Sequence, residues 1–487
     1  MTDTYQPPAA DQRGVAGITA AEQAQIARAF EATPPLFSVL STLRTRRMGL
    51  GYRSETGMAE TFEWSSGRSV VQPEGPLAYA SQSLPVPLSE VEEALVAWAA
   101  LGPNGIVLAD IPVHGALSSL LSSAGRTIPS SSNDRSVDLF LINDGGTWLY
   151  RPVRESPVPV EIAGTGDYWK ILDWYRRGRT RLSEHRPDVG WFSAPEGTHN
   201  VNPLGPGQYN LNRPGSTWFL PVGDVGLEWF NLLLTSYEWS GFYLMDAEKP
   251  AGCEEFIGPG FLEAGFPIPV FDELAVLLHA GQVGCVVQNV RLAAEALGLG
   301  AWPVGSYADD LLLGAYPEVA SGLGFAFLER DPTRNPSRTV TCLGLPGILE
   351  PVVVPSPRFP TAADAIGYVK ELRYQPGAPL SRGDGAAGPF NEATRRELLE
   401  NPRSYISDRT EAAAIRTVEY IVDRYGCCPA YVSPVRAKFS AQVHHADPAY
   451  YRQFYATDGG AYPITPAIDA HFPVWHPGEP DPTEAAR

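Results

Sequence analysis

The chain has 487 residues and a formal net charge of −18 at pH 7, which excludes a broad basic surface able to bind nucleic acid or an anionic membrane. Its 44% hydrophobic and 19% charged residues indicate a globular protein rather than a disordered one. The length allows two or three domains, or one domain with long additions.

The sequence carries no run of 18 apolar residues, and its first residues form neither a basic nor an apolar targeting segment. We therefore expect no membrane and no nucleic acid as a partner, and a cytoplasmic location. The five cysteines show no spacing typical of a disulfide framework or of a zinc site. Adjacent Cys427 and Cys428 are interpreted as two small hydrophobic residues before Pro429, with a strained redox pair as the alternative.

Residues 1–80 are predicted to form an N-terminal arm with a helix near residues 20–32. An arginine cluster, Arg44, Arg46 and Arg47, follows that helix. Such a cluster is most often a solvated face. Further on, Ser89 and Glu92 have the spacing of a capping box, which predicts a helix that runs to about residue 102.

A polar turn precedes a strand-like apolar run in the first half of the chain. The turn contains Pro129, Ser130, Ser131 and Asn133, and the apolar run starts near residue 137. Backbone N–H groups and hydroxyls in such a turn can hold phosphate or sugar oxygens. The same composition also favours a solvated β-turn, so both roles stay open from these residues alone.

A second pattern lies in residues 281–307. Apolar residues repeat there at the spacing of one helical face: Val283, Val286, Val287, Val290, Ala294 and Leu297. Gly298 and Gly300 then predict the end of the helix, and a glycine lets a flat ligand approach the backbone closely. An alanine-rich helix that ends in Gly-x-Gly is also common in ordinary protein cores.

Further elements are predicted along the rest of the chain. We expect a short central strand at residues 322–328, because this segment is apolar and bounded by turn residues. The predicted helices cover residues 227–237, 270–280, 361–374, 391–400 and 408–424.

Together the polar turn and the late helix with its Gly-Leu-Gly end resemble the FMN-dependent nitroreductase-like superfamily. Gly145 to Pro152 is similar to a segment of its thiazoline/oxazoline-dehydrogenase branch. The resemblance implies an α+β nitroreductase-like fold, in which helices wrap a mainly antiparallel mixed sheet. It implies a core at residues 81–345 with an aromatic-rich insertion at about 152–261, and a C-terminal extension at 346–487.

The resemblance also implies FMN as the cofactor. The residues expected to bind it are Arg46, Arg47, Pro129, Ser130, Ser131, Asn133, Gln288, Gly300, Pro303, Val304 and Gly305. A backbone N–H near Val304 or Gly305 would face flavin N5. The arginine cluster lies about 40 residues before Ser89, which departs from the family's spacing and puts phosphate binding in doubt.

The implied activity is the transfer of hydride or electrons between NADH or NADPH, or an organic substrate, and an acceptor. The protein would be a homodimer or a self-contained monomer. One alternative is a nitroreductase-fold protein without redox activity that acts as a binding or scaffold module. Another is an oxygen-dependent enzyme that consumes flavin, and FMN binding or its absence separates the redox and scaffold hypotheses.

His444, His445 and Asp447 form a run that could supply two or three metal ligands. Adjacent histidines in a strand point to opposite faces, however, and no Glu or His partner lies at a recognisable helical spacing. We therefore expect a structural or substrate-facing role for these residues, and no metal site.

Overall fold

The structure is a computed structural model. It describes residues 17–54, 62–64, 67–69, 76–108, 119–152, 162–187, 189, 210–305, 307–318, 320–336, 338–381, 390–456 and 463–483. Helices and antiparallel sheets are combined in it, which confirms the predicted α+β class. The helices are α1 (Ala20–Ala32), α2 (Leu36–Thr42), α3 (Glu90–Leu101), α4 (Trp169–Gly178), α5 (Val225–Thr235), α6 (Ile268–Leu297), α7 (Asp309–Leu313), α8 (Ala362–Leu372), α9 (Glu392–Glu400), α10 (Asp408–Tyr425), α11 (Pro448–Phe454), α12 (Pro466–Asp469) and α13 (His471–Trp475).

The strands are mostly short. They are β1 (Phe62–Trp64), β2 (Gly67–Ser69), β3 (Pro103–Ile106), β4 (Ala124–Arg126), β5 (Val137–Asn143), β6 (Gly146–Tyr150), β7 (Arg179–Ser183), β8 (Ser216–Asp224), β9 (Phe242–Asp246), β10 (Lys249–Pro250), β11 (Ala264–Pro267), β12 (Gly300–Val304), β13 (Ala326–Glu329), β14 (Val340–Gly344), β15 (Val435–Arg436) and β16 (Ser440–His444).

The central sheet has the strand order β12-β16-β8-β5-β6-β7, and β15 pairs with the end of β8. Its pairings are antiparallel, and one row of paired residues runs through Ala441, Phe219 and Leu141. β8 lies in the middle of the sheet, and all of its residues are buried. Helices and loops must therefore cover both faces of β8.

Alternate side chains of the sheet enter two different cores. Leu139, Leu141 and Phe219 pack with α3 and the second half of α6. Their neighbours Phe140 and Trp218 point to the other face, where they pack with α7 and the segment before β13. This alternation is what a period of two residues produces in a sheet that is buried on both sides.

A third core lies beside the sheet. It is formed by α5, α8, α10 and the first turns of α6, including Ile268, Phe271 and Ala275 of α6. α6 is thus one 30-residue helix, where the sequence predicted two helical segments at 270–280 and 283–297. By length and composition α6 could cross a membrane, but its buried side chains here pack in both the sheet core and the third core.

α3 and α6 begin and end much as the sequence predicts. Ser89 and Glu92 form the expected capping box at the start of α3. α6 ends at Gly298, which has φ of 79° and lies so close to Ala467 that a Cβ would come within 2.1 Å of its carbonyl oxygen. Only glycine combines this backbone conformation with this close approach.

Other expectations need correction or closer definition. The strand predicted at 322–328 is found as β13, which pairs only with β14, and it is not central because its side chains are half-buried or exposed. Residues 152–261 supply β8, and residues 346–487 supply β15 and β16, so both segments contribute to the central sheet itself. Residues 153–161 and 190–209 lie outside the described residues.

Candidate functional site

The predicted polar turn lies directly before β5, at the end of the sheet where β8 finishes. Pro129 and Ser131 are exposed and Ser130 is half-buried. Asn133 is buried with φ of 41°, and its Nδ2 donates to the carbonyl oxygens of Ser122 and Ala124 at 2.8 and 2.7 Å. Since both amide hydrogens are used within the fold, the side-chain N–H groups of Asn133 hold the turn together rather than face a ligand.

A pair of acidic side chains adjoins this turn. Ser131 Oγ donates to Glu228 Oε1 at 2.9 Å, and the Ser136 N–H and Ser130 Oγ both bond to Asp134 Oδ1. Burial, followed by the nearby Asp134 carboxylate, raises the pKa of Glu228 to about 10. Burial opposes ionisation of Asp134 as well, but hydrogen bonds from Glu228 and Ser136 lower its pKa overall. Glu228 therefore holds the proton at neutral pH and can donate it, while Asp134 stays charged.

The pair makes the stability of the fold depend on pH. The pKa of Glu228 is about 10 in the folded protein and 4.5 for the free side chain, so its contribution is fully present below pH 4.5 and is lost as pH rises towards 10. We expect Glu228→Gln, which keeps a hydrogen-bond donor, to match the wild type near pH 4.5 and to exceed it in stability at pH 8.5. Urea unfolding at both pH values measures this. If the free energies of unfolding of the two proteins change equally with pH, the raised pKa of Glu228 is contradicted. Glu318→Gln, at an exposed position, is the control.

A polar cavity of about 340 Å³ lies next to the turn. Its lining includes Ser122, Asp134, Arg135 and Gly377. The Asp134 carboxylate is buried there and accepts hydrogen bonds from the Ser136 N–H and from protonated Glu228. A ligand in the cavity would therefore meet a charged carboxylate that the fold already holds in place.

The late motif, which consists of the second half of α6 and the segment Gly298 to Gly305, includes the edge strand β12 of the central sheet. Arg46 N–H donates to Ala301 O at 2.9 Å, so the backbone groups of Ala301 point away from β16. Val304, the last residue of β12, pairs with Ser440 of β16, and Gly305 comes directly after the strand. Pro303 has no N–H, so the backbone donors at the end of β12 are those of Val304 and Gly305.

Gly300 and Gln288, also expected at the flavin, have local contacts instead. Gly300 is buried against His444, whose Nε2 would lie 2.8 Å from an added Cβ. Gln288 is half-buried on α6, and its Oε1 accepts a hydrogen bond from Arg291 at 3.1 Å. Pro303 is exposed on β12.

His279 is a buried group of α6, and the charges of Asp134, Arg436 and Asp309 all influence its pKa. Arg436 and Asp309 form an ion pair at 2.7 Å, and Asp309 follows β12 by five residues. Burial lowers the pKa of His279 to about 4, so the ring is neutral at pH 7. Its Nδ1 and Gln282 Oε1 on the next turn are buried without hydrogen-bond partners.

The two arginines expected at the FMN phosphate are in different environments. Arg46 is 1% exposed and forms a bidentate ion pair with Glu295, while its Nε donates to Pro463 O at 2.6 Å. This expectation needs correction for Arg46, because the guanidinium is enclosed in the core by its own partners. Arg47 is exposed, and its guanidinium lies 4.6 Å from the ring centre of Trp302.

His444, His445 and Asp447 do not converge as three ligands. His444 packs against Gly49 and Gly300, whereas His445 faces Glu92 on the other side. Asp447 caps α11 and accepts a hydrogen bond from the Tyr79 hydroxyl at 2.9 Å. The opposite orientation of the two histidines is the one expected for adjacent residues at a strand end.

A separate groove of about 390 Å³ lies between α2, α3 and α6, and its lining includes Asn289 and Leu297 in the second half of α6, the helix of the late motif. Its lining is apolar, with Phe30, Leu95 and Trp98 among the side chains. The Asn289 amide in its wall already donates to Ala99 O and Thr127 O. The groove therefore offers mainly apolar contact, whereas the cavity beside the turn is lined by charged and polar groups.

No model of a known protein family matches the chain, and no curated protein matches it. Among solved structures, the chain is similar to a candidate nitroreductase from Ralstonia eutropha JMP134, with 14% sequence identity and a TM-score of 0.26. The match covers 60% of this chain and 77% of the other. Two chains this different share too little superposable structure for the likeness to assign a fold or an activity.

Sequence reasoning missed Asp134, Glu228, His279 and Gln282 as residues of this region. Asp134 immediately follows the predicted turn, which is a signal that could have been used. The other three come from α5 and α6, and only the packing of these helices against the sheet end brings them to the turn.

Proposed function

We propose that the protein is an FMN-dependent oxidoreductase whose flavin N5 faces the Gly305 N–H. The observation that supports this most is that β12 runs from Gly300, level with the start of β8, towards the end of the central sheet at which the polar turn lies. The turn precedes Val137, which pairs with Gly223 near the end of β8, and β12 ends at Val304, opposite Ser440. His279, whose pKa is influenced by Asp134 beside the turn and by Asp309 after β12, is a buried polar group of the same region.

The residues present fit the polar and ring edges of FMN better than its phosphate. His279 Nδ1 and Gln282 Oε1, which have no hydrogen-bond partner among the described residues, are suited to hydrogen-bonding a polar cofactor edge, and the Gly305 N–H after β12 is the donor that we propose for the central ring. Asp134 is charged and Arg46 is enclosed by its ion pair, so neither the turn nor Arg46 is suited to an anionic phosphate. Among the arginines named from the sequence, Arg47 remains the phosphate ligand we propose.

Bound FMN would supply hydride transfer at N5. The chain's own contribution would be to orient the flavin and to supply a proton. An N–H donor at N5 would stabilise the charge that develops there during reduction. Glu228, protonated at neutral pH, would hold a proton close to the turn.

The partners proposed with this function are NADH or NADPH as the reductant and a small organic acceptor. The resemblance that suggested FMN also suggests a homodimer or a self-contained monomer, and we propose a cytoplasmic location. The alternative, a fold relative without redox activity that acts as a binding or scaffold module, is favoured by the enclosed position of Arg46.

The test begins with the absorbance spectrum of the purified protein, mass analysis of any small molecule released by heat, and titration with FMN. Gly305→Val should lower FMN occupancy at least about tenfold, because its side chain would block the approach to the backbone. An added Cβ there already lies 3.1 Å from the exposed Phe439 ring, which can move aside, so the fold should persist. Gly258→Val is the matched control, since its added Cβ meets nothing within 4 Å.

FMN retained by the wild type and the control but lost in Gly305→Val, together with NAD(P)H oxidation by the holoprotein, would support the proposal. Equal FMN occupancy in all three proteins would remove Gly305 from the site. A colourless wild type that does not bind added FMN would overturn the oxidoreductase proposal and leave the scaffold alternative.

A further inference from the structure

Four buried side chains from distant parts of the chain converge at one point. Glu92 lies in the first turn of α3, His445 follows β16, His471 begins α13 and His476 comes directly after it. Their potential ligand atoms all lie within 4.8 Å of one another. These four residues, the Glu92 cluster, are between 0 and 9% exposed.

The three histidines direct the same atom towards the same oxygen. Glu92 Oε1 lies 3.3 Å from Nε2 of His445, 2.8 Å from Nε2 of His471 and 3.1 Å from Nε2 of His476. In a tetrahedral site with metal–ligand bonds of about 2.0–2.1 Å, two ligand atoms are about 3.3 Å apart. The three distances from Glu92 Oε1 to the rings are therefore close to those between ligands of one small cation, and the whole set lies within 4.8 Å.

The outer nitrogens of the rings are held by the fold. His445 Nδ1 lies 2.9 Å from Val86 O, and His471 Nδ1 lies 2.7 Å from Leu297 O. A backbone carbonyl only accepts, so Nδ1 must carry the hydrogen in both rings. In neutral rings, Nε2 then presents its lone pair to the cluster. Such an outer hydrogen bond fixes the tautomer of histidines that ligate metals.

Hydrogen bonds within the cluster reach His445 and His476 but do not satisfy all three Nε2 atoms. One carboxylate oxygen offers about two lone pairs, and three ring nitrogens surround Glu92 Oε1. Nε2 of His471, although near, is not aligned for a hydrogen bond. Glu92 Oε2 is already engaged by the Ser89 N–H at 2.6 Å. Protonating all three rings would bury three positive charges against one negative charge, which is costly.

We propose that Glu92, His445, His471 and His476 bind a divalent transition-metal ion, with Zn²⁺ as the ion of best fit. Three imidazole nitrogens and one carboxylate oxygen form a tetrahedral donor set that zinc accepts. Four protein ligands in a closed, buried site leave no position for substrate, so the ion is structural. It ties the start of α3, the end of β16 and the C-terminal α13 together, and it does not depend on flavin binding.

Metal analysis of the full-length wild type tests the proposal. After exhaustive dialysis against metal-free buffer, we expect about one zinc per chain. The Asn amide in His471→Asn can still donate to Leu297 O while the Nε2 ligand is lost, so its zinc content should fall at least about tenfold. His185→Asn, at an exposed histidine outside the cluster, should retain the wild-type zinc content.

A second measurement uses the wild type alone, in case His471→Asn does not fold. A strong chelator should lower its melting temperature, and added Zn²⁺ should restore it at one equivalent per chain. Unchanged melting with chelator, together with no zinc uptake by the treated protein, would overturn the site. Zinc retained by folded His471→Asn would also overturn it. If the wild type contains iron or manganese instead of zinc, and His471→Asn loses that metal, the site is supported but the choice of zinc is overturned.

Discussion

Glu295→Ala should lower the free energy of unfolding by about 3–5 kcal/mol, because it leaves the Arg46 charge buried without its partner. Both side chains are almost fully enclosed, with 1% of Arg46 and 3% of Glu295 exposed. Arg46 also donates to Pro463 O, which belongs to a distant part of the chain. The ion pair therefore holds the N-terminal arm and the C-terminal segment against the end of α6. Urea unfolding at neutral pH measures the loss.

Two controls identify the cause of that loss. Alanine at Glu392, whose ion pair with Arg396 lies on the surface, should cause a much smaller change. The double replacement Arg46→Met with Glu295→Leu removes both charges and should recover most of the stability. If Glu295→Ala costs less than about 1 kcal/mol, the buried charge pair is not intact in solution, and Arg46 becomes available again as a phosphate ligand.

Gly226→Ala should also destabilise the protein strongly, by about 3 kcal/mol, although alanine is the better helix former. Gly226 lies in the first turn of α5, where an added Cβ would come within 1.9 Å of Val352 O. That backbone cannot move away easily, because the Val352 N–H is held by the Asp224 carboxylate at 3.2 Å. Overpacking against fixed backbone should therefore outweigh the gain in helix propensity of about 1 kcal/mol.

Gly281→Ala is the matched control for this prediction. Gly281 lies inside α6, is exposed, and would place a Cβ with nothing within 4 Å. Only helix propensity changes at this position, so we expect Gly281→Ala to raise the free energy of unfolding by about 0.5–1 kcal/mol. The close contact between α5 and Val352 would be supported if urea unfolding shows a lower free energy of unfolding for Gly226→Ala and a higher one for Gly281→Ala. A gain at both positions would show that this contact is absent in solution.

Local pattern was enough to predict most of the helices. Ser89 and Glu92 predicted the start of α3, and the apolar spacing from Val283 to Leu297 predicted the second half of α6. The strand at 322–328 was misplaced in the fold, because its apolar residues indicate a strand but not its neighbours. Pairing partners such as β8 and β16 are more than 200 residues apart, and no local spacing encodes that contact.

Glu92 shows why the candidate sites were harder to predict. Its capping role was read correctly, but that role uses Oε2 and leaves Oε1 directed at three histidines. His471 and His476 lie more than 370 residues from Glu92, so no spacing rule for metal ligands applies. At the turn, the sequence named Asn133, whose amide is held by backbone carbonyls, and did not name the neighbouring Asp134, whose carboxylate lies on the cavity wall.

The position of α6 across two cores affects how the chain can be divided. Its first turns need α8 and α10, and its second half needs the sheet that β16 completes. A shortened protein that ends at residue 345 would leave apolar flanks of α6 open along much of its length and would expose the edge of β8. Such a fragment should aggregate rather than fold. The chain could instead be divided by co-expressing residues 1–345 and 346–487 as separate polypeptides, because the two pieces could then assemble around α6.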